Sequence, residues 1–117
     1  MEFYFEKLDV WQMSMELIEK VYKVTKKFPK DEQFGLVSQM RRSAVSVAAN
    51  IAEGKGRYYT KEFIQFLYTA RGSLYEIITL TKVSLRLDYL SKEESEILLK
   101  ISQGILSKLN GLINSMK

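Results

Sequence analysis

The sequence predicts an all-α protein, an antiparallel up-down-up-down four-helix bundle that is oligomeric. Three observations carry this. Apolar residues recur at steps of three and four in four long segments. Short turn signals separate those segments, namely Pro29, Gly54 and the run DYLSKEE. No segment reads convincingly as a strand. The 117 residues suffice for one domain with one core. The expected domain spans residues 1–117, with helices at about 9–28, 34–53, 60–87 and 91–116. Helices of about 20 residues joined by short links must run antiparallel to their sequence neighbours.

The first helix is expected to start near Asp9, which with Gln12 resembles a capping box. Two stripes follow: Leu8, Trp11, Met15, Ile18 and Tyr22, and Val10, Leu17, Val21, Val24 and Phe28. Together they predict a wide buried face, with one place skipped at Ser14. Pro29 ends the helix because it cannot extend the hydrogen-bond ladder. PKDEQFG then predicts a turn with a short helical piece. In the second helix Val37, Met40, Ala44, Val47 and Ile51 follow core spacing, and Gly54 reads as its C-cap. Thr60 reads as the N-cap of the third helix, which carries Phe63, Leu67, Ala70, Leu74 and Ile77. Ser91 and Glu94 form a capping box for the fourth. Its core stripe is Leu98, Ile101, Ile105, Leu109, Leu112 and Met116.

Two surpluses predict self-association. Ala44, Ala48 and Ala52 make a ridge that lets a neighbouring backbone approach closely. The second helix is small or apolar on most of its circumference, as a helix buried nearly all round would be. The third helix spreads Phe63, Phe66, Tyr68, Tyr75, Ile78 and Leu80 over more than one face. A monomer would leave some of these as a wet apolar patch.

Composition removes many functions. The chain has no cysteine and no histidine. Zinc, haem and iron–sulfur sites lose their usual ligands, and Ser-His-Asp and Cys-His catalysis is impossible. Glu53 and Glu76 are the only carboxylates worth considering as an acid/base pair, and nothing builds a pocket around them. The expectation is a non-enzyme without catalytic, cofactor or metal sites. No apolar run is long enough to span a membrane. The acidic start lacks the basic region of a signal peptide, so a cytoplasmic location is expected.

The net charge of +4 permits nucleic-acid binding. Lys20, Lys23, Lys26, Lys27 and Lys30 crowd the end of the first helix with no acid between Lys20 and Lys30. They read as a phosphate-tracking ridge, or as a solvated face with pairs Glu16–Lys20 and Glu19–Lys23. The link KGRYYTK adds Arg57 and Lys61 beside Tyr58 and Tyr59. Basic residues among aromatics can hold phosphates and stack on bases, or the tyrosines can simply cover the bundle end. Arg41 and Arg42 sit in an otherwise small, apolar helix, where a half-buried guanidinium needs acceptors. A structural polar network of Arg41, Arg42, Asn50, Glu53, Arg71 and Glu76 is expected.

The segments LDVWQ, KFP, FGLVSQMRRSAVSVAANIAEGKGR, KEFIQFLYTARGSLYE and LDYL together resemble the small proteins encoded in intervening sequences of bacterial 23S ribosomal RNA genes. QMRRSAVSVAANIAEG is the most specific block. The resemblance implies a four-helix bundle that assembles into a homo-oligomer, expected to be a pentamer. It implies no established activity. A relative of the fold, the accessory variability determinant of diversity-generating retroelements, looks like a basic ring that binds nucleic acid and partners a reverse transcriptase. By that analogy Arg41, Arg42 and the lysines become nucleic-acid candidates. Ile78 and Leu80 stand where many relatives carry polar residues, so the surface around that turn is expected to be more apolar here.

The functional expectation is a non-enzymatic oligomer that binds RNA or DNA through a basic surface. The alternative is an interaction or scaffolding module whose apolar helix face takes a protein partner, without nucleic acid.

Overall fold

The three-and-four spacing folds into four α-helices in a computed structural model describing residues 1–117. They are α1 (Asp9–Thr25), α2 (Leu36–Lys55), α3 (Thr60–Arg86) and α4 (Lys92–Met116). Two 3-10 turns, Tyr4–Lys7 and Lys30–Glu32, precede α1 and α2, and there is no strand. α1 packs on α2 and α4, and α3 packs on α2 and α4, while the diagonal pairs stay apart. The α2–α3 interface is the most extensive. The molecule measures 43 × 27 × 21 Å.

The core is a column of residues at the predicted spacing. Val37, Met40, Ala44, Val47 and Ile51 from α2 are all buried, as are Phe63, Leu67, Ala70, Leu74 and Ile77 from α3. Of the apolar residues of α1 only Val10, Leu17 and Val21 are buried, with Phe28 beyond its end, and Val24 is half-buried. Leu8, Trp11 and Ile18 cover the rim of the core, and Met15 and Tyr22 face solvent. The skipped place in the pattern, Ser14, is fully buried. α4 buries Leu98, Ile105, Leu109 and Ile113, with Ile101, Leu112 and Met116 at the edge.

Hydroxyls occupy core positions by bonding to their own helix. Ser14 Oγ donates to Val10 O at 2.6 Å, Thr25 Oγ1 to Val21 O at 2.7 Å, and Thr81 Oγ1 to Ile77 O at 2.7 Å. Each bond satisfies a group that would otherwise be costly to bury. Ser95 Oγ is the exception, buried without a partner.

Several boundaries move from their expected places. α1 stops at Thr25, ahead of Phe28, because the residue before a proline is pushed out of helical geometry. Asp9 and Thr60 are first helical residues, not caps; Leu8 and Tyr59 take the cap positions without a side-chain bond. Gln12 instead donates to Glu6 O at 2.8 Å. α2 begins at Leu36 and runs through Gly54 to Lys55, with Gly56 as its cap. Gly54 is buried, and a Cβ there would lie 2.6 Å from Phe66 Cβ and 3.0 Å from Phe63 Cδ1. The glycine therefore serves the approach of α3. The Ser91 capping box forms as the spacing predicts: Glu94 N donates to Ser91 Oγ at 3.1 Å, and Ser91 N to Glu94 Oε1 at 2.9 Å. In the link before it, Asp88 takes the left-handed conformation with φ 61°.

The expected surpluses are smaller in the folded chain. α2 keeps an outer face, with Gln39, Arg42, Val45, Ala49 and Glu53 exposed. Phe63 is buried, Phe66, Tyr68, Ile78 and Leu80 are half-buried, and of that set only Tyr75 is exposed.

Candidate nucleic-acid interface

Charge is unevenly placed along the chain. Residues 20–52 hold seven basic and two acidic residues, a net +5, and the rest of the chain nets −1. No acid lies between Glu32 and Glu53, so α2 carries Arg41 and Arg42 with no carboxylate of its own nearby. Opposite it, α1 carries none from Lys20 onward.

Arg41 bridges these two helices. Its Nε donates to Thr25 Oγ1 at 3.0 Å and an Nη reaches Tyr22 O at 3.4 Å. The guanidinium carbon lies over the Tyr22 ring, 4.4 Å from its centre, a cation–π contact. Thr25 Oγ1 accepts from Arg41 while donating to Val21 O, so the hydroxyl both donates and accepts. Arg42, the next residue, is exposed and makes no ion pair. Tyr22, Gln33, Phe34, Val37, Ser38, Arg41 and Arg42 line a shallow groove of about 280 Å³. Phe34 is 94% exposed and Tyr22 is 39% exposed, so both rings offer open surface. Lys26 follows Tyr22 by four residues and is exposed.

The expected Arg–Glu network is replaced by separate local contacts. Arg41 meets Thr25 and Tyr22. Arg42 and Glu76 line one polar groove with Gln39, Ser43, Ser46 and Ser73, yet they form no ion pair. Asn50 donates to Ser46 O at 2.8 Å. Glu53 pairs with Arg57 at 3.1 Å, and Arg71 donates to Asn110 Oδ1 at 2.9 Å. Arg42 and Glu53 share the outer face of α2 but stand eleven residues apart, about 16 Å along the helix, too far to meet.

The lysine ridge also divides. Only Lys20 and Lys23 lie within α1, since the helix ends at Thr25. Lys27 forms an ion pair with Glu94 of α4. Lys20 and Lys23 share a groove with Val24, Glu94 and Ile97. The pairs Glu16–Lys20 and Glu19–Lys23 do not form. Lys26 and Lys30 are exposed. Arg57 and Lys61 belong to the other end of the molecule, where Lys55 of α2 lies 5.1 Å from the Tyr4 ring centre. Sequence reasoning missed Tyr22 and Phe34 as ring surfaces beside the arginines. The acid-free run from Gln33 to Ala52 was the available signal.

A family model described as 23S rRNA-intervening sequence protein matches residues 6–111. The chain belongs to that family. The block around Arg41 and Arg42 lies inside the matched span. The fold is similar to that of a solved protein from Bacteroides thetaiotaomicron, described as one of unknown function from the S23 ribosomal protein family. The two share 25% identity and a TM-score of 0.80, over 89% of this chain and 97% of that one. No curated protein matches the chain. No helix is long and apolar enough to cross a membrane.

Proposed function

We propose that this family member is a non-enzymatic, oligomeric bundle of the cytoplasm that binds RNA or DNA through the α1–α2 face. The observation that carries the reading is the pairing of a fixed and a free guanidinium in an acid-free groove. Arg41 is held over Tyr22, and Arg42 has no carboxylate partner. The mechanism is phosphate neutralisation with little base reading. Lys26 and Lys30 extend the positive surface, while Lys27 is engaged by Glu94. The relative's ribosomal family name makes structured RNA the first ligand to test.

The up-down-up-down antiparallel course of a single domain is supported by two contacts between α1 and α4. Lys27, just past the end of α1, meets Glu94 at the start of α4, and Asp9 meets Lys108 near its end at 3.5 Å. A homo-oligomer, as a pentamer, is the expected assembly, and light scattering at micromolar concentration tests it. A monomer there would remove the oligomer from the proposal. The alternative, an apolar docking module, has less support, because α3 covers most of its large apolar residues within the chain.

Fluorescence anisotropy with a labelled RNA hairpin tests the binding. Affinity should fall steeply with salt, and Arg42→Ala should lower the magnitude of the log–log salt slope by about one. Absence of binding at low salt would refute the nucleic-acid reading.

A further inference from the structure

The link between α2 and α3 turns its aromatic rings outward. Tyr58 is 90% exposed and Tyr59 is 64% exposed, so neither covers the bundle end. Their rings meet edge to face, with centroids 4.9 Å apart and planes at 83°. Open ring faces therefore point in two directions. The 3-10 turn near the chain start adds Tyr4, 70% exposed, to the same end.

Cations flank the two tyrosines in sequence and lie against other rings at this end. Lys55 Nζ lies 5.1 Å from the Tyr4 centroid and 5.4 Å from that of Phe63. Arg57 lies 4.7 Å from the Phe66 centroid while it pairs with Glu53. Lys61 is exposed on the first turn of α3. Residues 54–61 contain these three cations and no acid. Exposed rings beside positive charge suit a chain of unpaired bases: the rings stack on the bases and the cations follow the phosphates. A duplex keeps its bases stacked on one another and has no free face to offer.

We propose that the α2–α3 link is a stacking platform for single-stranded RNA or DNA, with Tyr58 and Tyr59 carrying the bases and Lys55 and Lys61 the phosphates. The platform rests on the nucleic-acid reading above but uses a different part of the molecule. Arg41 lies five residues into α2, whereas the platform begins where that helix ends.

The test compares a labelled 20-nucleotide uridine-rich RNA with a 20-base-pair RNA duplex at low salt. It uses the full chain, Tyr58→Ala/Tyr59→Ala, Tyr58→Phe/Tyr59→Phe and Arg42→Ala. The alanine pair should bind the single strand roughly tenfold more weakly or worse, bind the duplex unchanged, and keep the melting temperature. The phenylalanine pair should retain single-strand binding, because stacking needs the ring and not the hydroxyl. Arg42→Ala should weaken the duplex. Equal single-strand binding by the alanine pair and the wild type would overturn the platform while leaving the α1–α2 reading intact. Binding of neither RNA by the wild type would overturn both.

Discussion

At the residue scale, neighbours in sequence have opposite assignments. Arg41 is bound into the fold by Thr25, Tyr22 and its ring. Arg41→Ala should cost about 1–2 kcal/mol of stability in urea unfolding, from the lost hydrogen bond and stack. Arg42→Ala should leave stability within about 0.5 kcal/mol, since the side chain is exposed and unpaired. The same pair of measurements separates a structural from a ligand-facing arginine. Ser95 offers a third case. Its hydroxyl is buried without a partner, so Ser95→Ala should raise stability by about 1 kcal/mol.

At the element scale, glycines inside helices separate into two kinds. Gly54 has no room for a Cβ against Phe66, so Gly54→Ala should destabilise by about 1–3 kcal/mol despite the better helix propensity. Gly72 has nothing within 4 Å of the position a Cβ would take. Gly72→Ala should stabilise α3 by about 0.5–1 kcal/mol, read as a higher melting temperature. This contrast explains what the sequence hid. A glycine near a helix end reads as a cap, and only the position of α3 reveals Gly54 as a packing residue. The core columns of α2 and α3 were legible because Val37 to Ile51 and Phe63 to Ile77 follow the three-and-four spacing with apolar residues or alanine at every step. α1 and α4 were less so, because Ser14, Ser95 and Ser102 are buried polar residues that interrupt the pattern. The α1–α2 groove was invisible for another reason. Arg41 and Thr25 are sixteen residues apart, and their contact depends on the rotation of two helices about their axes.

At the scale of the whole molecule, one end is held by contacts between its two links. Phe28 packs on Tyr89 with ring centres 5.5 Å apart, and Tyr89 Oη donates to Glu32 at 3.3 Å. Lys27 meets Glu94 beside them. The hydrogen bond from Lys27, then that from the Ser91 backbone N–H, hold the Glu94 carboxyl below its ordinary value of 4.5. A depressed carboxyl stabilises the fold fully above that ordinary value and loses the contribution as pH falls beneath it. Glu94→Gln should therefore be less stable than wild type at pH 7, with the gap closing on acidification in urea titrations. Tyr89 runs the other way. Burial, then the charge of Glu32, raise its phenol above 10.0. The neutral form is favoured in the fold, so this contribution is present below pH 10 and lost as alkalinity rises through the raised value.

Helix α2 joins the arginine groove to the tyrosine platform, and its stretch from Arg41 to Lys55 makes a ruler of about 21 Å. That length equals roughly six base pairs of duplex rise. On the proposed binding, oligonucleotides shorter than the ruler would occupy one end only. Longer ones with a paired stem and an unpaired tail would hold both ends at once, and the second contact would become intramolecular. Affinity plotted against ligand length should therefore show a step, not a smooth rise, and the step should vanish when either end is disabled.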